Sequence, residues 1–167
     1  MSILYVDNLQ PNLGSQVEIP NLKPPAGTVI NSARVVCNTG ITLAADAIWT
    51  DIPLGTFSYT PKQPNSLLQI EVVAHVFGSY VSNTWSGGAV RCLVDGVSVS
   101  NTPQGNYHGV ANLSDWGMAY AIDLSQYTCT SASAVTIKAQ AFAITAATNT
   151  TFNLYGFGHV RVTEIAQ

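Results

Sequence analysis

The run SLLQIEVVAHVFG, residues 66–78, alternates with a period of two: Leu68, Ile70, Val72, Ala74 and Val76 fall on one side, and Gln69, Glu71 and His75 on the other. Side chains of a β-strand point alternately to opposite faces, so this run reads as a half-buried strand with one face in a core and a polar face carrying His75. The next run, Ala89 to Asp95, alternates Val90, Cys92 and Val94 with Arg91, and it meets Val97 to Ser100 across Asp95-Gly96. That dipeptide suits the two positive φ angles of a type I′ turn, so the pair is predicted to be a tight hairpin.

Working outward, further strands are predicted at Val29–Cys37, near Ala47–Thr50, and at Thr56–Thr60, Met118–Leu124, Ala134–Ile144, Thr151–Tyr155 and His159–Ile165. In the 134–144 run the inward set is Val135, Ile137, Ala139, Ala141 and Ala143, whose small side chains permit close approach of either a second sheet or another subunit. In the last run Val160 and Val162 oppose Arg161 and Thr163. No window shows a helical stripe of apolar positions. Many short alternating strands, with Gly, Pro and Asn between them, predict an all-β, two-sheet sandwich of jelly-roll type, because one open sheet that wide leaves an apolar face wet. Residues 1–27 differ: Pro11, Pro20, Pro24 and Pro25, with Gly14 and Gly27, break regular structure. They read as an extended N-terminal arm, and residues 28–167 as the sandwich domain.

Charged residues make up 9% of the 167-residue chain, against roughly 25% in ordinary soluble proteins. Surface charge normally opposes self-association, so a homo-oligomer that hides much of its surface is expected. The formal net charge is −3, and the six basic residues are scattered; no stripe is present to neutralise a row of phosphates, which argues against nucleic acid. The N-terminus has neither the basic nor the apolar region of a secretory leader, and no segment has the run of apolar residues a membrane helix needs. Synthesis in the cytoplasm and no membrane partner are therefore expected. Cys37, Cys92 and Cys129 make an odd count without C-x-x-C spacing; Cys37 and Cys92 sit in apolar runs and read as small buried hydrophobes.

Chemistry-bearing motifs are sparse. There is no G-x-S-x-G nucleophile turn, P-loop or dinucleotide fingerprint. Glu71 and Glu164 read as cross-strand partners of Arg91, Lys138 or Arg161 rather than as a glycosidase pair. His75 and His159 each stand on a strand's polar face and His108 in a turn-like GNYHG, with no second ligand at metal-binding spacing. No catalytic residue, metal or cofactor is expected, and the chain reads as a non-enzyme. Two long connections, 79–87 and 101–117, carry Tyr80, Trp85, Tyr107 and Trp116. Such aromatic loops stack on sugar rings or anchor partners.

The run VDNLQPNLGSQVEIP, residues 6–20, resembles the V-D-x-L-x-P-x-x-G-S-x-V-x-I-P segment of tail-fibre and related virion structural proteins of tailed bacteriophages. FNLYGFGHVRVTEIAQ, residues 152–167, is similar to the closing strands of the same proteins. The resemblance implies a homotrimeric β-sandwich located in the virion. The chain shows no repeats or coiled coil of a fibre shaft, which favours a capsid decoration (cement) protein, with Val6, Leu9, Val17 and Ile19 of the arm contacting a major capsid protein. The alternative is a tail-fibre or tail-tip module that recognises a host surface glycan through the aromatic loops. The polar face carrying Gln69, Glu71, Arg91, Lys138 and Arg161 is the expected subunit interface.

Overall fold

The computed structural model describes residues 23–43, 48–78, 86–100, 106–108, 117–143, 150–152 and 158–167. Among them are eleven strands: β1 (Val29–Cys37), β2 (Ile41–Leu43), β3 (Thr50–Tyr59), β4 (Leu67–Gly78), β5 (Ser86–Val94), β6 (Val97–Ser98), β7 (Asn106–His108), β8 (Gly117–Thr128), β9 (Val135–Ala143), β10 (Thr150–Phe152) and β11 (Gly158–Ile165). The described residues contain no helix.

Two antiparallel sheets form. The first runs β1-β11-β4, with β8 beyond β4 and the short β10 and β2 alongside; the second runs β3-β9-β5-β6, with β7 also on β5. The pairings β1 with β11, β2 with β10, β3 with β9, β4 with β8 and β5 with β7 are nested, so each strand of the first half meets its counterpart counted back from the end. Such nesting is one long hairpin rolled up, the jelly roll expected from the strand pattern. The roll's tip is the Asp95-Gly96 turn, where φ is 49° and 82°, the two positive values that a type I′ turn requires.

The core lies between the sheets. Leu68, Ile70, Val72 and Ala74 of β4 and Val160 and Val162 of β11 face Val90, Cys92 and Val94 of β5 and the row Val135, Ile137, Ala139, Ala141 and Ala143 of β9. All three cysteines are buried and free. Burial, aided by the charge of Asp123, pushes the Cys92 thiol up to about 12, so the thiol is inert.

The strand expected at 56–60 is the second part of a longer strand, β3, which begins at Thr50 and is broken by a bulge; of the strand expected near 47–50, residues 48–49 are not in a strand and residue 47 lies outside the described residues. Asp51 pairs with Gln140 and Thr56 with Lys138, so residues 52–55 all stand opposite Ala139. The Ile-Pro-Leu-Gly sequence explains the break: Pro53 cannot donate to the ladder, and Leu54 takes φ of 62°. At Gly55 a Cβ would sit 2.9 Å from the Ile52 carbonyl oxygen and 3.2 Å from the Ala139 Cβ. The small residues at 55 and 139 thus let β3 fold back onto β9. Ala139→Leu is expected to overpack this seam and lower stability by about 1–3 kcal/mol, read as a lower urea midpoint with an unchanged slope.

Candidate functional site

The outward face of the first sheet is a grid set by register. Thr163, Gln69 and Gln126 form one row; Arg161, Glu71 and Leu124 the next; His159, Val73 and Ile122 the third; His75 and Tyr120 the fourth. Arg34 of β1 stands opposite Arg161. Glu71 accepts from the Arg161 guanidinium at 3.0 Å and lies 2.9 Å from His159 Nε2, which fulfils the cross-strand pairing expected of Glu71. Arg34 is exposed and forms no ion pair among the described residues.

Strand β8 inverts the usual polarity. Its inward side chains are Ala121, Asp123 and Ser125, all buried, while Tyr120, Ile122 and Leu124 point outward and are 45%, 38% and 68% exposed. Asp123 Oδ2 accepts from Ser125 Oγ at 2.7 Å and from Ser100 Oγ at 2.5 Å, and Ser100 Oγ also accepts from the backbone N–H of Cys92 at 2.7 Å. This cluster bridges the two sheets where β6 ends. Among the described residues β8 pairs only with β4, so it is an edge strand, and a charge pointing inward from an edge discourages further strand addition. The outward apolar row therefore lies on the face of the sheet, beside an edge that disfavours strand addition. Beside it, a groove of about 400 Å³ is lined by Gln69, Glu71, Leu124, Gln126, Arg161 and Thr163.

The four charged residues expected to share an interface do not share a face. Glu71 and Arg161 lie outside the first sheet; Arg91 and Lys138 lie outside the second, on β5 and β9. There Lys138 pairs with Asp51 at 2.8 Å, and that hydrogen bond holds the Asp51 carboxyl below its ordinary range. Arg91 donates to Gln140 Oε1 through Nε and Nη2 at 2.8 and 2.6 Å and sits over the Trp49 ring, 4.4 Å from its centroid. These groups satisfy one another, and a period-two pattern alone says nothing about which strands belong to the same sheet.

Glu164 departs further from expectation. It points inward from β11, is fully buried, and meets none of Arg91, Lys138 or Arg161 in an ion pair. Its carboxylate accepts from Tyr59 Oη at 2.9 Å, Ser66 Oγ at 2.8 Å, and the backbone N–H groups of Lys62 and Gln63 at 2.9 and 3.3 Å. This ties the 60–66 connection to the last strand. Burial, then the Glu164 hydrogen bond, raise the Tyr59 phenol well above its ordinary value. His75 is buried, against the expected polar surface, and its ring meets Tyr120 edge-on at 5.5 Å. His108 and Tyr107, expected in a loop, are in β7, opposite Ser86 and Gly87. Tyr80, Trp85 and Trp116, and Val6, Leu9, Val17 and Ile19 of the arm, lie outside the described residues. The inversion on β8 was visible as Tyr120, Ile122 and Leu124 alternating with Ala121, Asp123 and Ser125; a polar row facing the core runs against the rule that assigns apolar rows inward.

No family model matches the chain, and no curated protein matches it in sequence. Among solved structures it is similar to a chain of the T13 particle of infectious bursal disease virus, at 12% identity and a TM-score of 0.49, over 92% of this chain and 36% of that one. It is also similar to a chain of the same virus's Gx strain, at 10% identity and a TM-score of 0.35 over 97% and 42%, and to its VP2 subviral particle, at 11% and 0.30 over 92% and 42%. The chain spans less than half the length of each of these neighbours.

Tyr59→Phe removes one hydrogen bond to the buried carboxylate and is expected to cost about 1.5–3 kcal/mol in chemical denaturation. Burial pushes the His75 pKa below 6.5, so below that pH the unfolded chain takes up a proton at this position that the folded chain resists. Stability is expected to fall as pH drops through about 6.5, and His75→Phe to remove that part of the slope in denaturation midpoints measured from pH 7.5 to 5.5.

Proposed function

We propose that this chain is a non-enzymatic structural subunit of a virus particle, acting as a homotrimeric decoration protein that stabilises a bacteriophage capsid from outside. The observation that carries the reading is the outward apolar row of Tyr120, Ile122 and Leu124, sustained by a polar inward row on the same strand. An isolated molecule gains nothing from exposing apolar groups while burying a carboxylate, whereas a subunit covered by neighbours does. The 9% charge content supports the same reading, because particle-bound surfaces need less charge to stay dispersed. So does the resemblance of residues 6–20 to the arm of tailed-phage virion proteins.

Binding to expanded phage heads and to host cells separates this role from a glycan-recognising tail module. The expected result is a trimer by native mass that adds to heads and not to cells. Adsorption to cells without addition to heads points to the tail module, and a monomer at all concentrations overturns the assembly reading. Removing residues 1–22 is expected to leave a β-rich body by circular dichroism that no longer adds to heads.

A further inference from the structure

On the outward face of the first sheet, side chains of three adjacent strands border the groove of about 400 Å³, a volume within the range of small-molecule sites. Its lining combines the Thr163 hydroxyl, the Gln69 and Gln126 amides and the charges of Glu71 and Arg161 with the apolar Leu124. These side chains stand on β11, β4 and β8, not on the aromatic connections 79–87 and 101–117. Thr163, Gln69 and Gln126 lie side by side in one register row, so three neutral hydrogen-bonding groups span about 10 Å. Among the described residues no other side chain engages these three, whereas Glu71 is held by His159 and Arg161.

Charge and hydrogen-bonding capacity decide what such a groove takes. Arg161 donates to Glu71 at 3.0 Å, so the two charges at the groove answer each other, and an ion of either sign meets a like charge beside its counterion. Arg34 lies on β1, beyond β11, and is not among the lining side chains. A wholly apolar ligand strips water from the amides and the hydroxyl without replacing it, which is costly. The ligand is therefore neutral and brings donors and acceptors together. Peptide groups do this too, but they pair best with a free strand edge, and β4 beneath the groove is paired on both sides, with β11 and with β8. A sugar hydroxyl donates and accepts at once, as the side chains of Thr and Gln do, and the C–H face of a sugar ring matches the exposed Leu124.

We propose that this groove is a saccharide-binding site, in which the Thr163–Gln69–Gln126 row hydrogen-bonds the hydroxyls of a short neutral oligosaccharide and Leu124 covers one ring face. The site is complete within one chain and does not depend on the particle assignment. A few hydrogen bonds and one apolar contact correspond to roughly millimolar binding. That is too weak to hold a free subunit on a cell, so the head-addition result expected above is unaffected.

The test is saturation-transfer NMR of the full-length chain against a panel of neutral and acidic oligosaccharides and soluble polysaccharides, a readout suited to weak binding. Each bound sugar, then sodium phosphate and a neutral tetrapeptide, is titrated into the ¹⁵N-labelled chain. Neutral oligosaccharides are expected to bind and to shift the side-chain NH₂ signals of Gln69 and Gln126 saturably, leaving that of Gln140 on the other sheet in place. Gln69→Ala and Gln126→Ala, both at exposed positions, are each expected to weaken binding about three- to tenfold. The localisation on the wild-type chain holds whatever the variants' stability. Binding of polysaccharide alone, with the same dependence on Gln69 and Gln126, supports the site and assigns it to a polymer instead of a free sugar. No bound neutral saccharide, binding undiminished in the double variant, or shifts of the two signals by phosphate or peptide in place of sugar each overturn the proposal.

Discussion

Twelve consecutive residue pairs, from Leu67 with Thr128 to Gly78 with Gly117, join β4 to β8, and the character of the molecule's outer surface depends on that ladder. Register in a sheet is binary: a one-residue slip sends every side chain to the opposite face. Correct register places Asp123 and Ser125 of β8 inside and Ile122 and Leu124 outside, a choice that hydrophobic burial alone would reverse. Two things hold it in place. The β4 ladder pairs β8 on one side along its whole length, and Ser100, arriving from the β5–β6 hairpin, meets the Asp123 carboxylate across the gap between the sheets. The hairpin tip at Asp95-Gly96 thereby contributes to the exposure of an apolar row on the other sheet.

A second buried carboxylate closes the opposite side of the core. Glu164 gathers donors from a tyrosine, a serine and two backbone amides of the 60–66 connection. Buried charge is tolerated where hydrogen bonds replace its lost hydration, and four donors drawn from one connection and the strand before it tie the chain's last strand to its middle. Both acidic groups cross-brace the roll between segments far apart in sequence. Among the described residues neither is paired with a cation, so the structure uses some of its nine acidic residues for internal order rather than for solubility.

The roll itself was legible in the residues. Period-two alternation located β1, β4, β5, β9 and β11, and the Asp-Gly pair located the tip, because these features are local; the alanines of β9 marked a close contact without deciding between a second sheet, which they meet, and another subunit. What escaped was whatever depends on partners distant in sequence. Arg91 and Lys138 look like Glu71 and Arg161 in an alternating string, yet they belong to the other sheet. Glu164 looks like any polar strand residue until the Thr60–Ser66 connection folds beneath it. His75 falls on the outward side as the alternation requires, but its neighbours there, Tyr120 among them, seal it from water. The short β2 and β7 carry too few residues for alternation to register.

The two outer faces differ in what they leave unfinished. Outside the second sheet, Asp51, Lys138, Gln140, Arg91 and Trp49 form a closed set of hydrogen bonds and a cation–π contact, and a surface whose charges already answer one another gains little from a partner. Outside the first sheet, Glu71 is shared between His159 and Arg161 while Arg34 faces Arg161, like charge against like. Cross-strand like charges are destabilising, and an apolar row lies two strands away. Among the described residues, the outer face of the first sheet is thus the one whose charges are less fully answered from within.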